Sequence, residues 1–584
     1  MSIAPAARSI RPASSSSLGS AVAHVVARPE LLIFLAVLSL IVRVLLVPNP
    51  VLMNDEYYYI KTAQLWHDGT IDTRAVTNLP NRGETGFPNS LFFAIYQSVF
   101  VLGDGFYAAA KWLNVLFATV AALAIGSVAR RFMNPLPAAG MVVLALWLPS
   151  TSFLPYFMPE ALYESLVWLG IAALFALHAD RLKLAVAVLG ICLGAALLAK
   201  PNAVAVLAAC NLVVACLLWT RKPRVHRLPD AIVPLLLLNV AFVLTAYLLN
   251  VLLTGHLHWD PVGKFYQTGL SKVAEVDASS SFIGVFARYL AAYVFVIVLI
   301  FGPALIAIGA GATSGKPLST DDVLLLSTAL IGVGVLLLGS VKVGVNWERV
   351  YLNHEGIYST RYMSVLFPLF YIAFVRFLPD AVARRRLRAW LGGGLAIICF
   401  LLMSTRGYVF NWLQMREGFW AYGIHSIAVR VFWAVMLVSI LYYAFARVPK
   451  ARVYLGLTAV YAALAVLVWL RMDFVVTQRG EPKADADAAR TVATLVRPDL
   501  FDQGHVVTAG ALWRATRFMS VFPGFVSVAL TDASKPKVPR DQIPKSARWV
   551  VFLSGARPDF DVSCQAIKEA VFCPLDEGVL NAPK

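Results

Sequence analysis

The sequence predicts an all-α polytopic membrane protein of about thirteen transmembrane helices, followed by a small C-terminal α/β extracytoplasmic domain. Three observations predict it. Hydrophobic residues make up 59% of the 584 and charged residues 14%, at a mean hydropathy of +0.71, whereas a soluble protein carries about a quarter charged residues. Apolar runs of membrane-spanning length recur at about 31–48, 106–129, 134–154, 160–179, 184–200, 202–219, 231–253, 284–310, 323–341, 361–378, 389–405, 424–446 and 453–470. The basic residues fall in short clusters between these runs: Arg130-Arg131, Arg181 and Lys183, Arg221 to Arg227, Lys316, Arg384 to Arg388, and Arg447 to Arg452. With thirteen crossings and a cytoplasmic N-terminus, every cluster falls on the cytoplasmic side and the C-terminus lies outside. One helix more or fewer would reverse every later cluster. The formal net charge of +17 is therefore read as topology. Nucleic-acid binding is excluded, because no basic face is interleaved with aromatics.

In chain order, residues 1–30 are rich in Arg and Ser and read as a disordered cytoplasmic lead. No small-residue cleavage site separates the first apolar run from Asp55, so a cleaved signal peptide is not expected. Residues 31–470 form the membrane part. Its first outer loop, 49–105, is long and partly helical, with interfacial helices expected at Tyr57–Trp66 and over 86–103. Counting 86–103 as a crossing would place Arg130-Arg131 outside. The outer face also receives loops 254–283 and 342–360. From 471 to 584 the chain is polar, with a helix expected over 484–496 and strands over 505–511 and 549–553. Four cysteines lie in apolar runs and read as small core residues. Cys564 and Cys573 lie in the tail, where an oxidising compartment would let them pair.

The unusual polar groups all fall on the outer side. Asp55 and Glu56 follow the first crossing, and carboxylates so close to hydrocarbon mark a site by default. Glu160 opens the fourth crossing, with Glu164 one turn along the same face. Lys200-Pro201 connects the fifth and sixth crossings, and Arg361 opens the tenth. Carboxylates and cations gathered at one membrane face suit an amphiphile with an anionic head. Each residue also has a structural reading: helix-exit polarity for Asp55 and Glu56, snorkelling for Arg361, a helix C-terminal cation for Lys200 and helix-start chemistry for Glu160. His256, His258 and Asp260 form an H-x-H-x-D run, but no fixed second cluster accompanies it, so no metal site is assigned.

The Asp55-Glu56 pair, Phe87-Pro88-Asn89-Ser90-Leu91, Ala129-Arg130-Arg131-Phe132, Leu198-Ala199-Lys200-Pro201, and Thr360-Arg361-Tyr362 with Pro368 resemble, in order and sidedness, the GT-C superfamily. These are polyprenyl-phosphate-sugar glycosyltransferases, the class of protein O-mannosyltransferases and aminoarabinose and arabinofuranosyl transferases. The resemblance covers roughly 30–470. It implies transfer of a sugar from a polyprenyl-phosphate donor to a glycan, lipid or protein acceptor, at the outer face of a bacterial inner (plasma) membrane. By position Asp55 is the implied catalytic base, with Glu56 next to it. Arg361 is the implied phosphate anchor, followed by Lys200; Glu160, Tyr58, Arg82, Lys264 and Tyr362 are the further substrate contacts. Some members of the superfamily need a divalent cation, and the lack of an Asp-x-Asp in residues 31–470 argues mildly against one here. The chemistry fits: phosphate is already a good leaving group, so a single carboxylate suffices and a single displacement inverts the anomeric centre, unlike paired-carboxylate glycoside hydrolysis. A lipid-linked glycan polymerase or ligase would instead centre on outer arginines and a His-bearing loop. A transporter would need mid-membrane polar residues and repeat symmetry; the spans carry few charges at their middles and no duplication is visible.

Overall fold

The structure is a computed structural model; it describes residues 28–46, 54–69, 89–147, 151, 154–220, 228–255, 281–313, 317–350, 364–404, 427–458, 481–509, 512–519, 527–531, 537–568 and 570–576. The protein is an all-α multi-pass membrane protein with a small C-terminal sheet, as the sequence predicts. Its bundle helices are α1 (Pro29–Leu46), α4 (Phe106–Ala129), α5 (Pro135–Trp147), α6 (Glu160–Leu177), α7 (Leu182–Ala199), α8 (Ala203–Thr220), α9 (Leu228–Thr254), α10 (Ser281–Ala312), α11 (Thr320–Val350), α12 (Phe367–Val382), α13 (Arg385–Ser404) and α14 (Ile427–Phe445). Between α1 and α4 lie α2 (Asn54–His67) and α3 (Ser90–Tyr96), the latter continued as a 3-10 helix to Gly105. Both fall where the sequence expects helices in the outer loop.

Among the described residues, eight helices are long and apolar enough to cross a membrane: α1, α4, α6, α7, α8, α9, α10 and α11. The expected count of thirteen is not confirmed by the described residues. Of the crossing expected over 134–154, the described helix is the 13-residue α5, and most of the residues that follow it lie outside the described ones. The crossing expected over 361–378 is the 16-residue α12, and the one over 453–470 lies mostly outside the described residues.

Two groups of packed helices build the core. In the first, α4 packs on α6, α6 on α7 and α7 on α9, with α1 against α5 and α4; in the second, α10 packs on α11, α12, α13 and α14. Helices α8 and α11 join the two. Helices α7 and α9 approach backbone to backbone. A Cβ at Gly194 would sit 2.5 Å from the Phe242 carbonyl oxygen, and one at Gly190 would meet the Leu238 carbonyl. Small residues let membrane helices meet backbone to backbone in this way.

One end of the bundle gathers residues of several clusters that the charge pattern assigns to one side; Arg221 to Arg227 lie outside the described residues. Arg131 donates to Asp321 at 3.2 Å, and His178 Nε2 lies 3.0 Å from the same carboxylate. Arg376 forks onto Asp322 at 2.8 and 2.9 Å. Asp322 also closes a capping box with Ser319, which starts α11. Arg388 donates to the carbonyls of Tyr443 and Ala446, at the end of α14. Loops that the charge pattern assigns to one side therefore meet at one end.

The tail contains α15 (Glu481–Leu495), α16 (Leu512–Met519) and a five-stranded sheet in the order β2-β1-β4-β7-β6. Strands β1 (Gly504–Ala509), β2 (Ser527–Thr531) and β4 (Trp549–Leu553) run parallel; β7 (Ala570–Pro574) and β6 (Gln565–Ile567) continue antiparallel, and the short β3 (Lys537–Val538) and β5 (Arg557–Pro558) pair apart from them. Helix α15 and strands β1 and β4 lie where the sequence expects them; β2, β6 and β7 are not among the expected strands. Cys564 and Cys573 form a disulfide across the β6–β7 hairpin. On β1, burial pushes the His505 imidazole down to about 4. An unfolded His titrates near 6.5, so on acidification the unfolded chain binds this proton first. The neutral imidazole carries no penalty above pH 6.5, and stability falls from there down to pH 4. Lowering the pH from 7 to 4.5 is expected to cost the tail ~2–3 kcal/mol through this group. Thermal unfolding of the full chain, read by protease release of the tail, should show that loss in wild type and not in His505→Gln.

Candidate active site

The opposite end of the bundle, where α1 finishes and α6 begins, holds a buried polar cluster. Its origin is the run Leu154-Pro155-Tyr156-Phe157-Met158-Pro159, which two prolines keep out of the helix and whose backbone groups are buried. Irregular backbone inside a membrane protein needs partners from side chains. Asn114 of α4 donates from Nδ2 to the carbonyls of Leu154 (2.9 Å) and Tyr156 (2.7 Å). The Phe157 N–H donates to Glu56 Oε1 at 2.6 Å, and the Tyr107 hydroxyl donates to the same oxygen. The Tyr96 hydroxyl in turn donates to Asn114 Oδ1. Burial, with the negative charge of Glu160 behind it, pushes the Tyr96 hydroxyl well above its usual range.

Helix α6 starts at Glu160, directly after Pro159. Helix α7 stops at Ala199 because Pro201 disfavours helical geometry at the residue before it; Lys200 is accordingly extended, at φ −156° and ψ 125°. That turn aims Lys200 Nζ at Glu160 Oε1, 2.7 Å away, in a buried ion pair. Asn89 caps the same turn by donating to the Ala199 carbonyl, and Ser90 donates to Asn250 Oδ1 at 3.1 Å, tying α3 to α7 and α9. Glu164, one turn below Glu160, lines a cavity with Ala118, Thr151, Trp168 and Val365. Thr151 accepts from Arg43 Nη2 at 2.7 Å, and the Arg43 guanidinium sits over the Trp147 ring.

Of the sequence candidates, the structure brings Glu56, Glu160 and Lys200 to one end of the bundle. Lys200 is ion-paired to Glu160, a pairing that the sequence does not show. Asp55 and Tyr58 lie in α2, with side chains outside the described residues; Arg82, Lys264, Arg361 and Tyr362 lie outside them altogether. So do His256, His258 and Asp260. Among the described residues no group of three His, Cys, Asp or Glu side chains has the spacing to hold a metal ion. Sequence reasoning missed Tyr107, Asn114 and Arg43. A signal existed for each: Asn114 and Arg43 interrupt otherwise apolar helices, and Tyr107 and Asn114 lie seven residues apart, on one helical face.

No family model matches the chain, and no curated protein sequence does either. Solved structures similar to it include two of one protein. One is the crystal structure of ArnT from Cupriavidus metallidurans bound to undecaprenyl phosphate, 15% identical, with a TM-score of 0.47 over 97% of this chain and 100% of that one. The other is the same protein in the apo state, 16% identical, with a TM-score of 0.46 over the same shares.

Proposed function

We propose that the chain is a membrane glycosyltransferase of the GT-C type, transferring a sugar from a polyprenyl-phosphate donor at the α1–α6 end of the bundle. The observation that carries this reading is the buried Glu160–Lys200 pair at 2.7 Å, at the same end of the bundle as the buried carboxylate of Glu56. Intramembrane ions are costly and kept where they serve a site. The arginine-rich loops meet at the other end, so the positive-inside rule turns this end outward. The Cys564–Cys573 disulfide supports an oxidising compartment for the tail.

In the proposed reaction the acceptor hydroxyl oxygen attacks the anomeric carbon from the face opposite the phosphate. The bond from that carbon to the phosphate oxygen breaks, and its electron pair leaves with the polyprenyl phosphate. Asp55 takes the acceptor proton. Glu56 is committed to Tyr107 and Phe157, which favours a positioning role that holds α2 and so aims Asp55. Lys200, kept charged by Glu160, faces the growing negative charge on the phosphate. Arg361 is the proposed fork-like phosphate contact. It lies four residues before Val365, which borders the Glu164 cavity and accepts from Trp168 Nε1 at 2.8 Å. Tyr58, Tyr362, Arg82 and Lys264 remain proposed contacts to sugar or phosphate, and the acceptor is a glycan, lipid or protein entering from the aqueous side.

The test is transfer by purified protein from a panel of radiolabelled polyprenyl-phosphate sugars, beside Asp55→Asn and Glu56→Gln. Asp55→Asn should lose about 10²–10⁴-fold in rate, the usual worth of a general base, while still binding donor. Wild-type turnover in Asp55→Asn would remove it as the base. No transfer from any donor would return the polymerase and transporter readings.

A further inference from the structure

The middle of helix α2 is buried all the way round. Tyr59, Ile60, Lys61, Thr62 and Ala63 are consecutive, and each is at most 9% exposed. Successive helical residues point about 100° apart, so a run of this length sweeps more than a full turn. A helix lying on the membrane surface leaves one face open along its length; over Tyr59–Ala63 this one leaves none open, and it emerges only at its C-terminal turn, where His67 is exposed. Helix α3 and the 3-10 segment Gln97–Gly105 cover part of it, and α16 of the tail packs on it as well. Tyr59 and Ala63 belong to the same continuous apolar core as Ala515, Phe518 and Met519 of α16.

Helix α16 has eight residues, far below the length at which an isolated helix holds its shape in water. It is held from behind. Arg514 forks onto Asp485 of α15, with Nη2 at 2.6 Å from one oxygen and Nε at 3.1 Å from both. Both side chains are buried, at 8% and 1% exposure. Helix α15 in turn packs on β6 and β7, and Lys568, between those strands, adds a 2.9 Å bridge to Asp487.

We infer that the tail is a clamp for the helix carrying Asp55 and Glu56, and that the Arg514–Asp485 pair is its latch. The latch fixes α16 on α15, and α16 closes the face of α2 that would otherwise meet water. The order of residues 54–67 is thus set by residues more than four hundred positions away in the chain. Arg514 acts here as a positioning residue, through its fork onto Asp485.

Hydrogen exchange of the full chain in lipid nanodiscs tests this without any sugar donor, so its outcome is independent of the proposed reaction. In Arg514→Ala, peptides covering 54–67 and 512–519 should exchange at least ten times faster than in wild type, with α6 and α7 unchanged. Arg514→Lys, which keeps a donor to Asp485, should return 54–67 most of the way to wild-type protection. If 512–519 loosens in Arg514→Ala while 54–67 keeps its wild-type rate, the clamp is wrong. If neither segment changes, the latch is wrong. A tail that unfolds completely while α2 stays protected would overturn the inference equally.

Discussion

Glu160→Gln alone will destabilise the protein by ~3–5 kcal/mol, and Lys200→Met alone by a similar amount, because each leaves one buried charge without its partner. Glu160→Gln combined with Lys200→Met will recover most of that loss. The pair is buried and meets at 2.7 Å, and removing both charges removes the desolvation penalty along with the attraction. Thermal unfolding in detergent reads all three variants. Recovery in the double variant, with transfer still absent, separates Lys200's contribution to the phosphate from its contribution to the fold. Two losses that simply add would mean that the residues do not act as a pair.

Gly194→Val will open the α7–α9 contact and disturb the site at the far end of α7. The added Cβ would lie 2.5 Å from the Phe242 carbonyl and 3.0 Å from the Thr245 Cβ. Backbone cannot step aside as a flexible side chain can, so α9 must move as a body. Overpacking of this kind costs about 1–3 kcal/mol, and more where the neighbour is rigid. The displacement should reach Lys200, the residue after α7, and the Asn89 and Ser90 ties beside it. Gly393→Ala on α13 is the control: nothing lies within 4 Å of its Cβ position, so Ala should be neutral or raise stability by up to ~1 kcal/mol. A fall in melting temperature for Gly194→Val no larger than the control's change would show that the helices do not meet there.

Those two sites also show what the chain made legible. The membrane class, the common end of the arginine clusters and the disulfide follow from composition, charge and cysteine placement, all one-dimensional signals. Pro201 announces that α7 ends at Lys200, and Pro159 that α6 starts at Glu160. That the two residues meet depends on which helices neighbour each other, and hydropathy does not encode this. Glu56 reads as chemistry in the sequence. In the structure its carboxylate serves a tyrosine hydroxyl and a backbone amide.

The most direct measurement is native mass spectrometry of the purified chain with polyprenyl phosphate and, separately, with the neutral polyprenol of the same length. The account predicts one tightly held polyprenyl phosphate per chain and at least tenfold weaker retention of the polyprenol. It also predicts that the combined Glu160→Gln and Lys200→Met variant, stably folded, loses that preference. Equal retention of the two lipids by the wild type would contradict a phosphate-binding end to the bundle, and with it the proposed donor.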